Sequence, residues 1–210
     1  MSLIKSEIST DAAYPGRKIL RKMNYYRDQK GIMNRYLREH EGWDNHRKNT
    51  MEFILKCIRA KNPKSLSVLG SGWLLDFPLE AVYKVCKDIR LIDIHHPPQV
   101  LRKIKDYPGV TAVLSDITGG MIENVYQFAQ ETIKSGEEHS LKELQKASPI
   151  PNADTFYISL NILNQLDILL VDYLKKFVKL KEEEWNELRK FVQDSHLKLL
   201  GSDSCLISDV

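Results

Sequence analysis

The chain has 210 residues, 42% of them hydrophobic and 28% charged, and a net charge of +3. That length suits one main domain with an accessory segment and a sizeable core, and the composition is neither disordered nor fibrous. No apolar run reaches about eighteen residues, so no membrane span is expected; Met1 to Thr10 lacks the apolar core of a signal peptide, so a cytoplasmic location is expected.

Three scattered cysteines, Cys57, Cys86 and Cys205, argue against a disulfide framework and fit a reducing compartment. Neither CxxC nor HExxH occurs, so no metal site is expected. Charge is unevenly placed. Residues 1–64 hold 15 Lys and Arg against 7 Asp and Glu, which is +8; the remainder holds 16 against 21, which is −5. A basic arm on an acidic body can meet a polyanion such as RNA. The same charges also serve simply to solvate exposed helix faces, and no aromatic-plus-basic binding motif accompanies them.

The first sixty residues read as helices, with Ile19, Leu20, Met23 and Tyr26, then Ile32, Met33, Tyr36 and Leu37, at helical spacing. Gly31 is expected to interrupt this run and Gly42 to end it. Asp44 is the expected N-cap of a next helix with Phe53, Ile54, Cys57 and Ile58 on its apolar face, closed by Asn62-Pro63. Residues 1–62 therefore form an N-terminal helical cap, and residues 63–210 the main domain.

From there strands and helices alternate. Leu66 to Leu69 is a first short apolar run, breaking on Gly70-Ser71-Gly72. A helix follows near Pro78, carrying Val82, Tyr83 and Cys86. Ile89 to Ile94 is a second run, stopped by His95-His96-Pro97-Pro98; Gln99 to Lys105 reads as helix. Val110 to Leu114 is a third run, stopped by Asp116 and Gly119-Gly120. Met121, Ile122, Val125, Phe128, Ala129 and Ile133 form a helical stripe, and Ser140-x-x-Glu143 a capping box. After Pro149 and Pro151, Phe156 to Leu160 is a fourth strand. Leu166 to Val178 and Glu182 to Leu200 read as helices, the second ended by Gly201, and Cys205 to Ile207 as a fifth strand. This is an α/β pattern with a mostly parallel sheet covered on both faces. Ligands of such sheets bind at the carboxyl ends of the strands, where strand order switches.

Four features lie at those ends. Gly70-Ser71-Gly72 allows a sharp turn and close approach to a ligand, and also serves as a purely structural turn. Asp93, followed by Ile94, lies 23 residues after Gly70, where an acid accepts both ribose hydroxyls of an adenosine; the alternative is a capping or loop aspartate. Asp116 and Ile117 suit an adenine edge and face, or only the turn into Gly119-Gly120. Asn161 faces the glycine turn across the switch point, where it holds the methionine part of a cofactor or faces a substrate; the alternative is an N-cap of the following helix.

The runs VLGSGWLLDFPLE, RLIDIHHP, VLSDITG and YISLNILNQLD, in this order, resemble the class I S-adenosylmethionine-dependent methyltransferases over about residues 43–210. The resemblance implies a Rossmann-like sheet and S-adenosylmethionine as cofactor. The amino-acid part would lie on Gly70, Ser71 and Gly72, the ribose on Asp93, and the adenine by Asp116 and Ile117. Asn161 would lie near the reactive methyl. The helical segment ahead of the first strand resembles the cofactor lid of such enzymes, with Arg35, Trp43, His46 and Trp73 as lid or substrate candidates. Arg35 and Glu39, four apart on one helix face, suit an ion pair. No catalytic base is named; His46 and Asn161 stand nearest the expected methyl. The methyl acceptor, a small molecule or RNA, is not specified.

The chain departs from the family in having Val68-Leu69 before the turn instead of an acid, and Trp73 or Leu75 in place of a third glycine. The family's terminal strands have no counterpart before Val210. The strand at 204–208 is then expected to be an exposed edge: either the chain is shortened relative to that family, or a second copy or another partner covers the edge. Two alternatives accompany the methyltransferase expectation. One is a non-catalytic methyltransferase-like nucleotide- or partner-binding module. The other is an NAD-dependent oxidoreductase, against which the missing third glycine counts.

Overall fold

The computed structural model describes residues 8–12, 14–135, 141–144, 155–201 and 203–208. The first element among the described residues is a short strand, β1 (Ile8–Thr10), followed by helices α1 (Arg17–Lys22) and α2 (Tyr25–Lys61). An alternating series follows: β2 (Ser65–Leu69), α3 (Leu79–Tyr83), β3 (Asp88–Asp93), α4 (Pro98–Lys103), β4 (Val110–Leu114) and α5 (Met121–Ser135). Next come β5 (Phe156–Leu160), α6 (Ile168–Leu174), α7 (Glu182–Leu200) and β6 (Ser204–Ile207).

The six strands among the described residues are all parallel, in the order β1-β4-β3-β2-β5-β6. The five expected strands are present. β1 was not expected: its three residues are all exposed, too few and too uniform to show an alternating pattern. Pairing with β4 holds it, and the Asp11 N–H then donates to Leu114 O at 2.9 Å. β6 forms the opposite edge, with Leu206 39% exposed. Among the described residues no helix is long and apolar enough to cross a membrane.

Alternation along the strands divides the core between two faces. Leu66, Val68, Leu91 and Ile158 pack against Ile54 and Ile58 of α2 and Val82 of α3. Leu69, Ile92 and Tyr157 point the other way, toward Leu200 of α7. A further cluster joins Leu20 of α1 to α5, α6 and α7. Ser159 also faces this side, and its buried hydroxyl lies 2.8 Å from Nε2 of His196 on α7.

Two boundary expectations are corrected. The expected break between two helices is present but falls three residues ahead of Gly42: α2 (Tyr25–Lys61) is two helices joined across a kink at Glu39 (φ −126°, ψ 19°), so Gly42 does not end the first and Asp44 does not cap the second. Neither Gly31 nor Gly42 has positive φ, which a glycine stop at a helix end requires. The true stop is Asn62, at φ 43°, whose N–H reaches Ile58 O at 2.8 Å. The expected helix from Leu166 is also shorter, with a 3₁₀ turn (Leu163–Gln165) ahead of α6. Ser140, Pro149 and Pro151 lie outside the described residues; Leu141–Leu144 forms a 3₁₀ turn.

A Cβ at Gly31 meets nothing within 4 Å. Gly31→Ala is therefore expected to raise stability by about 0.5–1 kcal/mol in urea unfolding. His196 supplies a second test. Burial lowers its imidazole pKa from 6.5 to about 4, so only the unfolded chain takes up a proton in that window. Stability is then full above pH 6.5 and falls by about 3 kcal/mol as pH drops toward 4. His196→Gln, which keeps a donor near Ser159, is expected to flatten that part of the stability–pH curve relative to the parent.

Candidate functional site

A cleft of about 580 Å³ opens at the carboxyl ends of β2, β3, β4 and β5, with α2 across it. Gly70, Ser71, Gly72, Asp93, Ile94, Asp116, Ile117 and Asn161 all line it, as do Arg35, Trp43, His46 and Trp73. The switch point falls here, because β2 pairs with β3 on one side and β5 on the other.

The turn after β2 is shaped by close approach. Gly70 has φ 75°, and a Cβ on it would stand 2.9 Å from Cβ of Ile162. Glycine is therefore required twice over, for conformation and for space. The N–H groups of Gly70 and Ser71 both reach Ile92 O, at 3.0 and 3.3 Å. Gly72 (φ 41°) directs its N–H at Asp93 Oδ2, 2.7 Å away.

Asp93 is only 9% exposed. Besides Gly72 it accepts the His95 N–H at 3.3 Å and, from α2, Gln29 Nε2 at 3.4 Å. Burial raises its carboxyl pKa, opposed by the neighbouring His96 and by the backbone amides aimed at it. Burial likewise lowers the pKa of His95. An acid here, beside a tight turn, is placed to accept a vicinal diol.

Asp116 is fully buried, and its oxygens are largely engaged within its own loop. Oδ1 accepts the N–H (2.9 Å) and hydroxyl of Thr118, and Oδ2 the N–H of Ile122 in the first turn of α5 (3.1 Å). Burial raises its pKa, and these donors pull it back. The carboxylate thus fixes the loop that carries Ile117, which is half-buried and packs against the core. The Tyr25 hydroxyl, buried and without a hydrogen-bond partner among the described residues, also belongs to the cleft. Its pKa lies well above the ordinary value through burial, with the charges of Asp116 and Asp28 adding to the effect.

At the far wall, Asn161 ends β5 in the left-handed region (φ 49°), which asparagine tolerates better than most residues. Its Nδ2 donates to Asp76 Oδ2 at 3.0 Å and lies 3.2 Å from His46 Nε2. Arg47 fastens this corner to α2. Its Nε donates to Leu75 O at 2.9 Å and lies 3.8 Å from Asp76 Oδ1, while Nη1 donates to the Tyr36 hydroxyl at 3.0 Å. Near the start of α2, Gln29 Nε2 donates to His95 O and Trp73 Nε1 to Gln29 O, both at 2.8 Å.

The Arg35–Glu39 ion pair is not formed. Glu39 interrupts the helical geometry and faces Arg38 at 3.7 Å, while the charge of Arg35 acts on Asp28, partly offsetting the burial that raises the pKa of that carboxyl. Sequence reading passed over Tyr25, Gln29 and Asp76. Tyr25, Gln29 and Ile32 are spaced to share one face of α2 with Arg35, and Asp76 lies six residues beyond Gly70; both signals were available. Among the described residues no group of three or more His, Cys, Asp or Glu side chains is arranged to hold a metal ion.

No family model matches the chain, and comparisons with curated proteins and with solved structures likewise find no match.

Because Asp116 satisfies two backbone N–H groups in a buried loop, Asp116→Ala is expected to lower stability by about 2 kcal/mol. Denaturant unfolding of the two proteins checks this.

Proposed function

We propose that the cleft binds S-adenosylmethionine and that the protein is a methyltransferase built on a Rossmann-like sheet. The observation that carries the proposal is the buried Asp93 carboxylate at the end of β3, set against the Gly70–Gly72 turn through Gly72 N–H. In this proposal Asp93 takes the ribose hydroxyls, Ile94 and Ile117 flank the adenine, and the amino-acid end lies along the glycine turn beneath α2. Asp116 serves by holding the adenine loop. The cofactor supplies an already electrophilic methyl, so the protein's task is proximity and alignment.

The charge of the cleft favours this ligand over a dinucleotide. A pyrophosphate is normally held by the N-terminus of a helix that starts at the glycine turn. Here α3 begins only at Leu79 and is five residues long, and Asp76 occupies the intervening loop. Asp28, Asp76, Asp93 and Asp116 all line the cleft, with Arg35 and His46 as its basic residues. Such walls suit a sulfonium cation and oppose a dianionic pyrophosphate.

Calorimetric titration with S-adenosylmethionine, S-adenosylhomocysteine and NAD tests the proposal. Both adenosyl ligands are expected to bind and NAD not to. Asp93→Ala is expected to weaken adenosyl binding by about tenfold or more, the loss of charge-assisted hydrogen bonds to a diol. Failure of folded protein to bind either adenosyl ligand overturns it.

A further inference from the structure

We infer that the β5 end of the cleft is a subsite for an amine, a proton-bearing nitrogen on an apolar body, received by Asp76 and Asn161. The inference rests on the methyltransferase proposal above and names the acceptor class for it.

The orientation of the Asn161 amide is fixed by its neighbour. Nδ2 donates to Asp76 Oδ2 at 3.0 Å; turning the amide over would set its oxygen against a carboxylate oxygen, two acceptors face to face. Asn161 Oδ1 is therefore the free acceptor, buried and without a hydrogen-bond partner among the described residues. Asp76 Oδ1 is in the same state. Its nearest cation, Arg47 Nε, is 3.8 Å away and already donates to Leu75 O at 2.9 Å. Buried polar atoms are nearly always paired, so two neighbouring residues with bare acceptors mark a place for a donor.

The chemistry of that donor is restricted. A carboxylate, ester or ether has no proton to give. A hydroxyl has one, whereas an amine or ammonium has two or three, and a carboxylate wall favours the cation. The surroundings suit an apolar carrier: Ile168 lines the cleft yet is 47% exposed, and Ile32 and Trp43 line it with half-buried side chains. His46 Nε2, 3.2 Å from Asn161 Nδ2, is engaged as that group's acceptor, so Asp76 is the group assigned to the amine proton. The bound ammonium first gives one proton to the Asp76 carboxylate; the lone pair so freed forms the new N–CH3 bond as the S–CH3 bond breaks, its electron pair remaining on sulfur. The product leaves as the methylated ammonium, and Asp76 returns its proton to water once departure of the product opens the site. Both oxygens are closed off from bulk water, so an amine reaches them by displacing part of the cover that α2 provides.

Three probes of matched shape test the subsite: phenethylamine, 2-phenylethanol and 3-phenylpropanoate. Each is titrated into the protein alone and into protein with excess S-adenosylhomocysteine, followed by ligand-observed NMR. The amine is expected to bind about tenfold more tightly than the alcohol, and the acid not to bind. Asp76→Asn and Asn161→Gly, the latter suited to the left-handed backbone, are each expected to weaken amine binding about fivefold or more, and to weaken S-adenosylhomocysteine binding by clearly less than that. Equal binding of amine and alcohol, binding of the acid, or indifference to both substitutions overturns the subsite. Amine selectivity in protein that fails to bind S-adenosylhomocysteine overturns the cofactor proposal and the transfer step, and leaves the amine subsite standing.

Discussion

The hydrogen bond from Gly72 N–H to Asp93 Oδ2, 2.7 Å long, is the contact on which the cleft depends. It ties the turn after one strand to the last residue of the next. It can form only because β2 and β3 run parallel in a register that sets Leu69 beside Ile92. Gly70 and Ser71 then both donate to Ile92 O, so the turn folds back over β3 and the carboxylate is drawn beneath it. The closeness of Ile162 to Gly70 brings the β5 end against the same turn. One short contact thus transmits sheet register into the shape of the cleft.

The long helix α2 is held to that surface at two separated places. Near its start, Gln29 reaches Asp93 and His95 and receives Trp73. Farther along, Arg47 grips Leu75 and His46 meets Asn161. Between them lies Glu39, the one non-helical residue, and the Tyr36–Trp43 ring contact at 5.9 Å. Beyond Arg47, Ile54 and Ile58 enter the main core. The same helix is therefore core at one end and cleft cover at the other, and the cover is joined to the cleft mainly by polar contacts. Polar, partly exposed contacts open at lower free energy than an apolar core does.

The parallel sheet was legible because each buried strand is a short apolar run ending on a turn signal, and period and length together distinguish it from a helix. All the nominated cleft residues fall at strand ends or on the covering helix, since strand ends follow directly from strand positions. What was not legible depends on tertiary context. Gly42 reads as a stop, yet the break falls three residues earlier, as a kink at Glu39, and helical backbone passes through Gly42 toward the packing at Ile54 and Ile58. β1 carries no periodic signal and exists by pairing with β4. The oxygens of Asp116 turn inward to its own loop, a direction that residue type alone does not specify.

Strain and unmet polarity concentrate in this cleft. Among the described non-glycine residues with positive φ, Asn24 and Asn62 lie beside helix ends, where left-handed asparagine is ordinary. The other two, Leu74 at 57° and Asn161 at 49°, line the cleft. For a bulky apolar residue such as Leu74 this region is a genuine outlier, held by burial and by its N–H donating to Ser71 O at 2.8 Å. Of the buried polar atoms without hydrogen-bond partners among the described residues, those of Tyr25, Asp76 and Asn161 belong to cleft residues. Each such feature opposes folding by about 1–3 kcal/mol. A protein of ordinary marginal stability carries several of them in one place only if the surrounding structure over-determines the arrangement, as the Asp93, Arg47 and Ile162 contacts do here. Two further unpaired atoms, Nδ1 of His96 and of His196, lie against the sheet away from the cleft; at the switch point itself a hydroxyl and two acceptors are left to be completed.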